Sequence, residues 1–135
     1  MHNILVIDDE VDVRDGIKRV LDRAGFSVRV IDNATDALLE LERVPTDIVI
    51  TDIIMPKVNG VEAIDCIVRA FPAVRIVAIS GGGNFDVRGY QPSAITTTAY
   101  LAAATKAGAH VILTKPFESG ELIQAVKDVI GAGHA

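Results

Sequence analysis

The chain is predicted to fold as a doubly wound α/β domain around a five-stranded parallel sheet, and three observations predict it. Five short runs rich in Val and Ile, at residues 3–7, 28–31, 47–51, 75–79 and 110–114, lack strict alternation, as strands covered on both faces do. The segments between them carry apolar residues at helical spacing. Strand and helix alternate five times, which implies right-handed crossovers with helices on both faces of one sheet. Ligands of such sheets bind in the crevice beyond the carboxyl ends of the strands.

The elements follow in order. After the first run, Val13, Ile17, Val20, Leu21 and Ala24 share one helix face that stops at Gly25. After the second run, Ala34, Ala37, Leu38 and Leu41 form another stripe, ended by Pro45. Val61, Ile64, Val68 and Phe71 repeat the pattern after the third. Pro92-Ser93 offers a cap for a helix over Ala94 to Ala107, with Gly108 as its stop, and Leu122, Val126, Val129 and Ile130 form the last stripe. One segment breaks the rhythm: residues 81–92, Gly-Gly-Gly-Asn-Phe-Asp-Val-Arg-Gly-Tyr-Gln-Pro, read as an extended, glycine-rich loop. One domain over 1–131 with a short tail at 132–135 is expected.

At 135 residues the chain is long enough to bury a core that needs no disulfide or metal staple. Its 13 Lys+Arg against 18 Asp+Glu leave a net charge of -5, with no basic stripe to follow a nucleic-acid backbone. No apolar run approaches a membrane span or a signal-peptide core, so no membrane insertion and a cytoplasmic location are expected. The single Cys66 cannot form an internal disulfide and reads as a small helix residue. His2, His110 and His134 are scattered and are not expected to be ligands. Gly81-Gly82-Gly83 lacks the companions of a P-loop or dinucleotide fingerprint.

Chemistry gathers at the strand ends. The first run ends in Asp8-Asp9, the third in Asp52, the fourth in Ser80 and the fifth in Lys115-Pro116. Parallel strands would set these residues around one crevice. Mg2+ takes hard oxygen ligands and is usually held by one or two carboxylates together with phosphate oxygens, which Asp8, Asp9 and Asp52 can supply. Without a cation such carboxylates would repel one another. Phosphoryl transfer asks for an in-line nucleophile and positive charge on the equatorial oxygens. Asp52 can be the first, and Lys115, a hydroxyl from Ser80 and the cation can meet the second. Glu10 and Asp12 sit in the first turn of a helix, where its dipole accounts for them.

Taken together, Ile4 to Glu10, Thr51-Asp52-Ile53-Ile54-Met55-Pro56 with Asn59-Gly60, Ala78-Ile79-Ser80-Gly81, and Lys106-Ala107-Gly108-Ala109 leading to Thr114-Lys115-Pro116-Phe117 resemble the receiver domains of two-component response regulators, including the single-domain chemotaxis type. The resemblance covers nearly the whole chain. It implies a flavodoxin-like (βα)5 fold with strand order 2-1-3-4-5. It implies Asp52 as phosphoacceptor from the phosphohistidine of a histidine kinase or a histidine phosphotransfer protein. Mg2+ would be ligated by Asp9, Asp52 and the carbonyl of Ile54, with Asp8 acting through water. Ser80 and Lys115 would meet the phosphoryl group. The protein would catalyse only its own phosphorylation and dephosphorylation, act as a monomer or weak dimer, and signal through an unknown downstream protein, since no output domain is visible.

Two departures from the family pattern stand out. Three residues before the lysine the family carries Tyr or Phe, and here stands Ile112, so signal output is expected to use the Ser80 loop instead. The 81–92 loop is about a dozen residues longer than usual. The positions two after the phosphoacceptor and two after the hydroxyl residue, Ile54 and Gly82, cannot hold an attacking water through a side chain, so slow self-dephosphorylation is expected. Two other readings compete: a degenerate receiver that binds partners without phosphorylation, and an aspartyl-phosphate phosphatase. The second lacks an Asp two positions after a strand-end nucleophile, since Glu10 follows Asp8 there.

Overall fold

The computed structural model describes residues 2–53, 60–80, 102–114 and 117–132. In chain order the elements are β1 (Asn3–Ile7), α1 (Val11–Arg23), β2 (Ser27–Ile31), α2 (Ala37–Arg43), β3 (Ile48–Asp52), α3 (Gly60–Ala70), β4 (Arg75–Ser80), α4 (helical over 102–107), β5 (Val111–Thr114) and α5 (Ser119–Ala132). The five strands form one parallel sheet in the order β2-β1-β3-β4-β5. The expected loop at 81–92 and the expected start of the fourth helix, through residue 101, lie outside the described residues.

Side chains alternate across the pleat, and both sides are apolar. Ile4, Val6, Ile48, Ile50, Val77 and Ile79 pack with Ile17 and Leu21 of α1 and with Leu122, Val126 and Val129 of α5. On the opposite face Leu5, Ile7, Val49, Ile76 and Ala78 pack with Ala37 and Leu41 of α2, Ile64 and Ile67 of α3, and Ala104 of α4. Two apolar layers on one sheet explain why the strands read as unbroken hydrophobic runs.

Element boundaries follow local hydrogen bonds. The second helical stripe begins at Ala37, not at Ala34, because Asn33 Oδ1 accepts from Asp36 N–H at 3.0 Å and Ala37 N–H from Ala34 O at 3.1 Å, so the chain enters the helix through a turn. Ala34 still packs on the core. At α5, Glu121 Oε1 accepts from Glu118 N–H at 3.0 Å, the reciprocal half of a capping box.

Two helices end alike. After α1, Phe26 N–H reaches Leu21 O and Gly25 N–H reaches Asp22 O, both at 3.1 Å; after α4, Ala109 N–H reaches Ala104 O at 3.0 Å and Gly108 N–H reaches Thr105 O at 3.1 Å. Each is a Schellman turn around a glycine of positive φ, 98° at Gly25 and 129° at Gly108. The two glycines differ in surroundings. A Cβ at Gly25 would meet nothing within 4 Å, whereas one at Gly108 would lie 2.7 Å from Val68 Cγ2 on α3.

His110 then ties the start of β5 to β4. Its N–H donates to Ile76 O at 2.9 Å, and its Nδ1 accepts from Ile76 N–H at 3.1 Å. Burial first, and the nearby Arg75 charge second, hold its pKa below the ordinary value of 6.5. Protonation would also turn Nδ1 from acceptor to donor against a facing N–H.

Two outcomes are expected. Gly25→Ala should cost about 1 kcal/mol through backbone strain, and Gly108→Ala clearly more, about 2–4 kcal/mol, because overpacking against Val68 adds to the strain; urea midpoints of both variants check this. For His110, the unfolded chain takes up the proton first as pH falls, so its contribution is present above about pH 6.5 and is lost as pH drops through the lower folded-state pKa. His110→Asn should flatten the fall in urea midpoint between about pH 7 and 5.

Candidate functional site

β1 has β2 on one side and β3 on the other, so the strand order reverses there, and the crevice opens above this point. Ile7 stands opposite Thr51, which brings Asp8, just past β1, beside Asp52, the last residue of β3. The backbone holds both places firmly. Asp8 N–H donates to Ile31 O at 3.2 Å, and Ile53 N–H donates to Ile79 O at 3.0 Å. Ile53 itself is buried in the second core layer, and the buried Thr51 hydroxyl donates to Asp52 O at 3.2 Å.

Asp8 and Asp52 are 0% and 2% exposed, while Asp9 is exposed and Glu10 half-buried. One carboxylate oxygen from each of Asp8, Asp9, Glu10 and Asp52 can be chosen so that all four lie within 4.8 Å of one another. Opposite ligands of Mg2+ stand about 4.2 Å apart, given metal–oxygen distances of about 2.1 Å, so this donor set fits one hard cation. Asp8 Oδ1 also accepts from Glu10 N–H at 2.9 Å, and Arg14 Nη1 donates to Asp8 O at 3.2 Å, tying the strand end to the first turns of α1.

Asp8, Asp9 and Asp52 are therefore brought together as the strand-end pattern required. Ser80 ends β4 opposite Thr114, one step past Ile79, the partner of Asp52, which sets its backbone at the rim of the same crevice. Its side chain, Ile54 and Lys115 lie outside the described residues, although Lys115 follows directly on Thr114 of β5. Glu10, which the sequence alone places in the first turn of a helix under the influence of its dipole, is the N-cap of α1, makes no capping hydrogen bond with its side chain, and joins the acidic cluster. Its direct continuation of the Asp8-Asp9 run is the sequence signal for this.

A doubly wound sheet with carboxylates converging at its switch point defines a class of small α/β domains that gather charge above the first and third strands. The chain belongs to the response regulator receiver domain family, which it matches over residues 4–127. It is 29% identical over 127 residues to the chemotaxis protein CheY of Thermotoga maritima, covering 93% of this chain and 95% of that protein. It is 32% identical over 124 residues to the nitrogen assimilation regulatory protein NtrX of Azorhizobium caulinodans, covering 90% of this chain but 24% of the relative. The crystal structure of the receiver domain of NtrX from Brucella abortus superposes with a TM-score of 0.80 at 28% identity, covering 95% and 98% of the two chains. The chain thus spans about a quarter of the NtrX relative and nearly all of CheY. Receiver domains act in phosphorylation-coupled signalling of two-component systems. No described helix is long and apolar enough to cross a membrane.

Crowded carboxylates carry a cost that can be measured. Asp52→Asn removes one like charge from a buried site and should stabilise the protein by about 1–3 kcal/mol in EDTA, a gain that shrinks as MgCl2 is added; urea midpoints with and without Mg2+ check both parts.

Proposed function

We propose that this domain is a phosphorylation switch in which Asp52 accepts a phosphoryl group from the phosphohistidine of a histidine kinase or a histidine phosphotransfer protein. The carrying observation is the position of Asp52: nearly inaccessible, at the end of the central strand β3, and within reach of the Asp8 and Asp9 carboxylates. In the step, an Asp52 carboxylate oxygen forms the new P–O bond as the donor's P–N bond breaks, and the released imidazole takes up a proton. Asp9, Asp52 and the carbonyl of Ile54 would hold Mg2+, with Asp8 acting through water, and the bound ion would supply positive charge for the phosphoryl oxygens.

The remaining roles belong to the chain's own side chains. Lys115 would pair its ammonium with a phosphoryl oxygen, and the Ser80 hydroxyl would donate to another. No small-molecule turnover is part of this reading, only the domain's own phosphorylation and dephosphorylation. Ile112 is half-buried against the second core layer, which supports an output that runs through Ser80 and the segment after it instead of through an inward-swinging aromatic ring. A downstream protein senses the state only if it binds the two forms unequally, and a hundredfold preference corresponds to about 2.7 kcal/mol.

Incubating the protein with Mg2+ and a small acyl-phosphate donor should add about 80 Da by intact mass, the mass of one phosphoryl group. The gain should require Mg2+ and vanish in Asp52→Asn. Addition that survives this substitution would assign the phosphoryl group to another residue, and no addition at all would favour an interaction module that works without phosphorylation.

A further inference from the structure

We propose that His110 is a pH-sensitive latch at the edge of the sheet: its neutral imidazole holds the start of β5 on β4, and protonation releases that end of the strand while the rest of the sheet stays folded. Two hydrogen bonds make the junction. His110 N–H donates to Ile76 O at 2.9 Å, as in an ordinary ladder, but the return bond is made by a side chain, with Nδ1 accepting from Ile76 N–H at 3.1 Å. The imidazole thus stands in for a backbone carbonyl, one rung before the pairing of Val77 with Val111. A carbonyl accepts at any pH. An imidazole accepts there only while Nδ1 carries no proton.

Three features make the release local. β5 is an edge strand of four residues with β4 on one side only, so no further strand holds it in place. His110 is exposed, and a charged ring gains by swinging into water instead of staying against an N–H. Ile76 is 0% exposed, so once the ring leaves, its N–H reaches water only if the start of β5 moves away. Charge acts in the same direction, because the Arg75 guanidinium of β4 repels a cationic ring. Of the other elements at this corner, α3 carries Asp65 and Arg69, paired with each other at 3.1 Å, α4 carries Lys106, and α5 carries Lys127 and Asp128, these last three all exposed. Among the described residues, Arg75 is the charge that bears on the ring.

Site-resolved amide hydrogen exchange of the full chain between pH 7.5 and 5, with each rate taken relative to its intrinsic value at that pH, tests this. Below about pH 6.5 the amides of Ile76 and His110 should open at least about tenfold more often than that of Leu5 in the central β1, and with little dependence on low urea, since little surface is exposed. Their opening should rise by up to about tenfold per pH unit between about pH 6.5 and the lower folded-state pKa. His110→Asn keeps an acceptor that does not titrate, and should abolish this rise. Exchange at Ile76 and Leu5 at one common level with the same urea dependence would mean that acid only unfolds the whole domain, and overturns the latch. So would opening at Ile76 that stays flat across the His110 titration, or ring nitrogen shifts that place the proton on Nδ1 at pH 7.5. The phosphorylation reading stands or falls separately, on the mass measurement.

Discussion

The parallel pairing of β1 with β3 is the constraint on which the rest depends. Because Ile7 faces Thr51, the two chain ends that leave the sheet at this point carry Asp8 and Asp52 into the same crevice, and no adjustment of loops is needed to bring them together. Burying carboxylates side by side opposes folding. Each buried Ile or Leu contributes about 1.5–3 kcal/mol, and the central strands are sealed on both faces by such residues, so the apolar layers can hold the acids where they repel. A divalent cation bound there would relieve that repulsion and so couple ion binding to the stability of the sheet.

The opposite half of the sheet is organised differently. Between α4 and β5 the chain turns at Gly108, whose conformation and contact with Val68 leave no room for a side chain, and then locks to β4 through both backbone and imidazole of His110. A junction held at successive residues gives β5 a fixed register, Ser80 against Thr114. The acidic half of the site comes from β1 and β3; the residues proposed to meet the phosphoryl group come from β4 and β5. Joining the two halves is a matter of sheet register, not of helix packing.

Much of this was readable in advance. The Val- and Ile-rich runs located all five strands to within a residue or so, and glycine marked the ends of α1 and α4, because burial on both faces and positive φ leave plain compositional traces. Other features left none. Asn33 diverts Ala34 out of the second helix through a side-chain hydrogen bond that periodicity does not register. Glu10 looked like any acid at a helix start, and only its position in space places it with the aspartates. His110 looks incidental in the sequence, since an acceptor nitrogen aimed at a backbone N–H 34 residues away has no motif.

The arrangement of oxygens at the switch point is tested most directly by anomalous scattering from crystals grown with Mn2+ as a stand-in for Mg2+. The account predicts one strong peak in the β1–β3 crevice, about 2.2 Å from carboxylate oxygens of Asp9 and Asp52. A peak elsewhere with that crevice empty, or Asp9 and Asp52 turned away from each other around no ion at saturating Mn2+, would contradict it.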